Sequence, residues 1–321
     1  MQNSLCVRCS VDSIRGCRNV RYSVPHPIPY QGSKRRLADA VLSHVGHHKY
    51  KRLMEPFAGS AAITLAAATR NLFPSFLIAD TLAPLIALWQ AIIQSPDEIA
   101  DRYEALWNRE RRNPIEEYYL VRSEFNSDRE PAKLLYLLAR CVKNAVRFNP
   151  SGEFNQSPDK RRTGTQPKTM RAELNAAHQL LRGRSQAVTS DFMTLFEQAR
   201  PGDFFYLDPP YQGTSEGRDQ RYFESVSRKR IVEGLTLLNE KGIPFVLSYD
   251  GSCGNMNYGE PLPAGLADRV LLDVGRSSQA TLNGKDHVTI ESLYISRCLE
   301  YAGSHAPLPL AHFSPQTSMF A

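Results

Sequence analysis

Glu55-Pro56-Phe57-Ala58-Gly59-Ser60-Ala61-Ala62, followed by Phe76-Leu77-Ile78-Ala79-Asp80, decides the fold. Arg52 to Phe57 reads as a buried strand. The small residues Ala58 to Ala62 break it, and an alanine-rich helix runs to about Arg70. Phe76 to Ala79 reads as a second strand stopped by Asp80, and a helix follows from Ala83 to about Ile93. Strand, small-residue turn, helix, strand and acid in that order open a nucleotide-binding α/β domain. Small side chains let the backbone approach a bound nucleoside, and an acid at the end of the second strand accepts from ribose hydroxyls. The other use of Asp80 is to cap the helix before Leu82.

Outwards from this core, Tyr30-Gln31-Gly32-Ser33-Lys34 is turn-like, and Leu37, Val41, Leu42 and Val45 after it share one helical face. From about 96 to 180 the pattern changes to amphipathic helices near 98–110, 115–126 and 131–145, then a Gly/Pro/Asn-rich loop from Arg147 to Thr169. The α/β pattern resumes with Ala187 to Asp191, a helix near 192–199 and the strand Phe204 to Leu207. A helix near 225–241 and the strand Pro244 to Ser248 come next. Arg269 to Val274 and Val288 to Ile295 read as an antiparallel pair. The expected fold class is α/β: a Rossmann-like, mostly parallel sheet with an antiparallel C-terminal hairpin and a helical insertion. The expected division is a leader over 1–27, a discontinuous catalytic and cofactor-binding domain over 28–95 and 181–300, the insertion over 96–180, and a tail over 301–321.

Composition bounds the partners. The formal net charge of +6 permits a polyanion. Lys160, Arg161, Arg162, Lys168, Arg171, Arg182 and Arg184 crowd one polar stretch, which reads equally as a solvated loop and helix. No apolar run approaches the roughly 20 residues that span a bilayer, and the N-terminal residues lack the apolar core of a secretory signal, so a cytoplasmic location and no membrane partner are expected. Cys6-Val7-Arg8-Cys9 has a zinc-like spacing, but no second pair follows, so no metal is expected.

Asp208-Pro209-Pro210-Tyr211, directly after a buried strand, is the sharpest motif. Ligands of open α/β sheets sit at the carboxyl ends of strands. Two prolines fix φ and remove two donors, leaving a stiff turn rich in acceptors. The Asp208 carboxylate and the Pro209 carbonyl suit the two N–H groups of an aromatic amine whose lone pair is otherwise delocalised. They also stabilise positive charge developing on that nitrogen. Tyr211 offers a stacking face.

Together these segments resemble the Dam-like D12 class of DNA adenine methyltransferases over about Tyr30 to Arg297. Tyr30 to Lys34 resembles its N-terminal cofactor motif, Glu55 to Ala61 its glycine loop, and Ile78-Ala79-Asp80 its ribose acid. Ser190-Asp191-Phe192 resembles its adenine-contact motif and Asp208 to Tyr211 its catalytic motif. In the insertion, Tyr118-Tyr119 with Arg122, Glu124, Phe125 and Asn126, and Gly152-Glu153-Phe154-Asn155, look like family segments. Arg276-Ser277-Ser278 with Glu291-Ser292-Leu293 looks like the closing hairpin.

The resemblance implies S-adenosylmethionine as cofactor and adenine in double-stranded DNA as substrate, reached by base flipping. It assigns catalysis to Asp208, Pro209, Pro210 and Tyr211, and cofactor binding to Tyr30, Lys34, Phe57, Gly59, Asp80, Asp191, Phe192 and Asp208. Tyr30 and Lys34 would meet the methionine end, with Lys34 near its carboxylate. DNA contacts are expected from Arg147, Asn149, Asn155, Lys160, Arg161, Arg162 and Arg276. A cognate restriction endonuclease acting independently is an optional companion.

Three departures from the family pattern stand out. Ala61 replaces a loop glycine, Thr81-Leu82 a more polar pair, and Lys143-Asn144-Ala145-Val146 lacks an expected Asn-Gly. The competing readings are the same chemistry on RNA or on cytosine, a decayed DNA-binding relative, and an NAD-dependent dehydrogenase. Aspartate at the first motif position favours adenine. The presence of Lys34, Asp80 and Asp208 disfavours decay. A dehydrogenase would leave Asp-Pro-Pro-Tyr unexplained and lacks a full dinucleotide fingerprint.

Overall fold

The computed structural model describes residues 23–45, 50–109, 113–210, 226–253, 256–276 and 288–299. Cys6, Cys9 and Cys17, Tyr211, Ser277 and Ser278, and the tail over 301–321 lie outside them, as does the side chain of Arg276. The leader boundary drawn at 27 needs correction. Pro25 and Pro27 are already buried, and the His26 N–H donates to the Glu173 carboxylate.

Among the described residues the strands are β1 (Arg52–Glu55), β2 (Ser75–Asp80), β3 (Ser185–Thr189), β4 (Asp203–Leu207), β5 (Phe245–Cys253), β6 (Met256–Tyr258), β7 (Asp268–Arg276) and β8 (Val288–Ile295). They form one sheet in the order β3-β2-β1-β4-β5-β8-β7, with β6 paired to β5. The pairs β3-β2, β2-β1, β1-β4 and β4-β5 are parallel, while β8 runs antiparallel to both β5 and β7. The order reverses beside β1, where β2 and β4 carry the chain away on opposite sides. A crevice must open there above the strand ends.

Helices cover both faces. They are α1 (Ala38–Ser43), α2 (Ala62–Thr69), α3 (Ala83–Gln94), α4 (Pro96–Arg109), α5 (Pro114–Asp128), α6 (Pro131–Arg140), α7 (Pro167–Leu181), α8 (Phe192–Glu197) and α9 (Arg228–Glu240). Strand alternation sends Leu53, Ile78, Phe204, Tyr206, Leu293 and Ile295 into a core shared with α1 to α7, and Met54, Leu77, Phe205 and Leu247 into a second core under α8 and α9. The helical stretch from 96 onward therefore shares its apolar core with the sheet.

The expected helices of that stretch form, with two differences. The third stops at Arg140, because Cys141 turns extended and bridges to Pro158. The helix α7 lies partly where a loop was expected. Met170, Leu174, Ala177 and Leu181 bury its apolar stripe, and it packs on α2, α3 and α4. Proline at the first turn of α4, α5, α6 and α7 is tolerated because those N–H groups have no helical acceptor. The loop before α7 is also more ordered than expected. Asn155 N–H donates to the Arg147 carbonyl at 3.0 Å and Asn149 N–H to the Glu153 carbonyl at 2.8 Å, making a hairpin of 147–155.

Candidate active site

The crevice at the strand ends holds a cavity of about 1090 Å³, counted out to its open mouth. Tyr30, Lys34, Phe57, Gly59, Asp80, Asp191, Phe192, Asp208 and Pro210 all line it. Of the residues proposed for cofactor and catalysis, Pro209 is buried just behind this wall, and Tyr211 lies outside the described residues.

Local chemistry explains how the glycine loop is held. Gly59 sits at φ +47°, and a Cβ there would lie 3.0 Å from Cε1 of Tyr30, so a larger residue is strained and collides with the ring. The buried Trp89 indole N–H donates to the Gly59 carbonyl at 3.0 Å. Ala61, at the position of the missing glycine, adopts φ 46° and is fully buried, so the departure is absorbed as backbone strain.

Asp80 accepts from the Gly59 N–H at 3.3 Å through one oxygen and from the Leu82 N–H at 3.0 Å through the other. It thus braces the loop and holds the turn that enters α3, and a carboxylate has about four acceptor positions, so room remains for a ligand hydroxyl. Burial pushes its carboxyl up to about 6, against the pull of those N–H bonds.

Alternation aligns the acids. Glu55 lies two residues past Leu53, Asp80 past Ile78, Asp208 past Tyr206 and Glu291 before Leu293. All four therefore sit on the sheet face that carries the larger core. The Lys34 ammonium, 8% exposed as a residue, lies 3.3 Å from Oδ1 of Asp208 and 3.2 Å from Oε2 of Glu291. Asp208 is pushed up to about 6 by burial, held back by Lys34 and raised further by Glu291. Glu55 accepts from the Thr64 N–H at 2.9 Å, and burial pushes it up to about 7.

The far end of the cavity is aromatic. Asp191 caps α8 by accepting from the Met193 N–H at 2.9 Å, and it also pairs with Arg230 at 2.8 Å. The Arg230 guanidinium lies 4.9 Å over the Phe192 ring, which packs 5.2 Å from Phe57. Arg230 and Phe148 line the cavity without having been singled out from the sequence, and so does Val146, quoted only in the segment that lacks an Asn-Gly. Phe148 brings the 147–155 hairpin to the cavity wall, and the Gln31 N–H donates to the Asn144 carbonyl at 2.9 Å.

The residues proposed for DNA contact fall into two groups. Arg147 is half-buried, and Asn149 spends its amide on Glu153 at 2.8 Å through both ends, which closes the hairpin turn. Asn155, Lys160, Arg161 and Arg162 are exposed. Asp159 holds the basic turn by accepting from the Arg161 N–H at 2.9 Å. Arg276 ends β7. Other residues of the insertion motifs act as scaffold. Asn126 brackets the Phe154 backbone at 2.8 and 3.0 Å, and the Tyr118 hydroxyl donates to the Gln156 carbonyl at 2.9 Å.

Strand order and the cavity at the reversal point fit an α/β enzyme of the methyltransferase type. The family model for D12 class N6 adenine-specific DNA methyltransferases matches residues 30–267, and the chain belongs to that family. The retron Ec67 DNA adenine methylase of Escherichia coli is 29% identical over 65% of this chain and 73% of its own length. The DNA N-6-adenine-methyltransferase of Escherichia phage P1 is 29% identical over 63% of this chain and 27% of its own. The type II methyltransferase M1.LlaDCHI of Lactococcus lactis subsp. cremoris is 26% identical over 70% of this chain and 80% of its own. The expected family, fold class and enzyme class are thereby met. No helix among the described residues is long and apolar enough to cross a membrane.

Proposed function

We propose that this chain binds S-adenosylmethionine in the crevice and methylates the exocyclic amino group of an adenine turned out of duplex DNA. The observation that carries the reading is the convergence of Asp80, the Phe57–Phe192–Arg230 cluster and Asp208 on one cavity. The donor set fits this cofactor. Asp80 has lone pairs for ribose hydroxyls, and the aromatic end suits a purine. Glu55, Asp80, Asp191 and Asp208 outnumber Lys34 and Arg230 on the wall, which suits a ligand carrying a sulfonium and an ammonium.

The bound cofactor supplies an electrophilic methyl group. The protein's part is to present the nitrogen. With Oδ1 of Asp208 held by Lys34, the other oxygen is the acceptor for one amino N–H, and the Pro209 carbonyl is the acceptor for the second. Two acceptors draw the amino group out of the ring plane, expose its lone pair and stabilise the charge that develops on it. The base must leave the stack to reach this depth. Asn155, Lys160, Arg161, Arg162 and Arg276 are proposed to follow the DNA backbone, with the 147–155 hairpin linking that surface to the cavity.

Labelled methyl transfer into unmethylated genomic DNA, with total RNA in parallel and nucleoside analysis of both, tests the reading. Methyladenine in DNA is expected. Label confined to RNA, or absent from both, would overturn it.

A further inference from the structure

We propose that Glu291, on the C-terminal hairpin, is a positioning residue for the methyl-transfer step, acting through Lys34 on Asp208. The proposal rests on the reading of Asp208 as the amino-group acceptor.

Two strands and the helical turn that begins at Lys34 deliver one cluster. β4 brings Asp208 from the middle of the sheet, and β8 brings Glu291 from two strands away. Both meet the Lys34 ammonium, at 3.3 and 3.2 Å. The side chains of Lys34, Asp208 and Glu291 are only 9%, 21% and 16% exposed, so water screens these charges poorly. Among the described residues, Glu55 on β1 and Tyr206 on β4 are the other titratable groups that act on Asp208 or respond to it. Glu55 accepts from Thr64 and Tyr206 exchanges a hydrogen bond with Ser248 at 3.0 Å, so each has a partner of its own.

An ammonium bound to Asp208 alone would fix the carboxylate but also drain its negative charge, weakening it as an acceptor. A second carboxylate on the same ammonium removes that cost. Lys34 stays anchored and charged, its field is balanced by Glu291, and Asp208 keeps both its orientation and its basicity. The influence of Glu291 on Asp208 is upward and that of Lys34 downward, as this division requires. Glu291 also ties the closing hairpin to the reaction centre, a role that the hairpin's place at the sheet edge does not by itself suggest.

The test compares wild type with Glu291→Gln and Glu291→Asp in DNA methylation from pH 5 to 8, alongside cofactor affinity and melting temperature. Glu291→Gln should lower kcat roughly tenfold, as for residues that orient a reacting group from behind. Loss of the negative neighbour should also move the acid limb of kcat about one pH unit lower. Cofactor affinity should change little. Glu291→Asp keeps the charge and should leave the limb in place while recovering part of kcat. An unchanged kcat in Glu291→Gln, a fall with the acid limb unmoved, or a chain that melts before it can be assayed would each overturn the proposal. An inactive wild type would instead overturn the assignment of the reaction.

Discussion

The guanidinium of Arg230 is held 2.8 Å from Asp191 and 4.9 Å above the ring of Phe192, closing the aromatic end of the cavity with a cation. Stacked cations of this kind contribute about 0.5–2 kcal/mol when partly desolvated. Arg230→Gln should therefore raise the KM for the cofactor roughly tenfold while kcat holds within about twofold. Arg230→Lys should recover little, because a compact ammonium cannot present a flat face to the ring. A cofactor titration with DNA saturating reads both. An unchanged KM would place Arg230 outside the cofactor's reach.

Arg230 also shows where sequence reading stops. Its partner Asp191 lies 39 residues earlier in the chain, and nothing in the composition of α9 sets Arg230 apart from its neighbours Arg228 and Lys229. The strand-ending acids were legible because each follows an apolar run and marks a strand's carboxyl end. Glu291 was quoted only as part of the closing hairpin and given no role at the site, because it precedes its apolar residues on an antiparallel strand. The helix α7 was hidden by charged residues, although Pro167 and the spacing of Met170, Leu174, Ala177 and Leu181 carried its signal. The basic run, left open between a polyanion surface and a solvated loop and helix, proved mixed. Lys160 to Arg162 are exposed, whereas Arg171 is drawn into Asp101 and Glu104 at 2.6 and 3.1 Å, and Arg184 bonds the Leu180 and Ala68 carbonyls at 2.7 and 3.1 Å.

Asp208 offsets the charge that grows on the amino nitrogen only when ionised, and is then also the stronger acceptor; burial has pushed its carboxyl up to about 6. Turnover should therefore rise with pH through about 6 and level off above it, falling on the acid side as the carboxylate takes up a proton. Asp208→Ala should cost about 10²–10³ in kcat, the loss of one preorganised partner, and keep most of the DNA affinity. Single-turnover methylation and an equilibrium binding assay separate the two effects. Near-normal turnover in the variant would remove the proposed mechanism.

Glu55 links the same cavity to stability. Its folded carboxyl is pushed up to about 7 from an ordinary 4.5 by burial, so between those values the folded state binds more protons than the unfolded chain. The stability it contributes is full below about 4.5 and is lost as pH rises through 7. Glu55→Gln keeps an acceptor for the Thr64 N–H but cannot ionise. Relative to wild type it should gain stability with rising pH, by at most about 3 kcal/mol across that window. Urea unfolding at pH 5 and pH 8, without cofactor or DNA, measures the gap. Parallel pH dependence in the two proteins would show that Glu55 does not carry it.

The absent Asn-Gly in the insertion leaves a mark that can be measured. Lys143 and Asn144, consecutive and neither of them glycine, stand at φ 60° and 53°. Asparagine tolerates that region, and Asn144 is further held by its amide donating to the Leu138 carbonyl at 2.8 Å. Lys143 is exposed, so its left-handed backbone lacks burial to offset a cost of roughly 1–2 kcal/mol. Lys143→Gly should remove most of that strain and give back part of it as unfolded-chain entropy, a net gain of about 0.5–1 kcal/mol. Lys143→Val should lose more than Lys143→Gly gains, since a branched side chain fits that region worst. Lys143→Gly leaves the Asn144 carbonyl to receive the Gln31 N–H beside the cavity, so cofactor affinity should hold. Chemical denaturation of the three proteins decides it: a glycine variant no more stable than wild type would mean that the turn is not strained at Lys143.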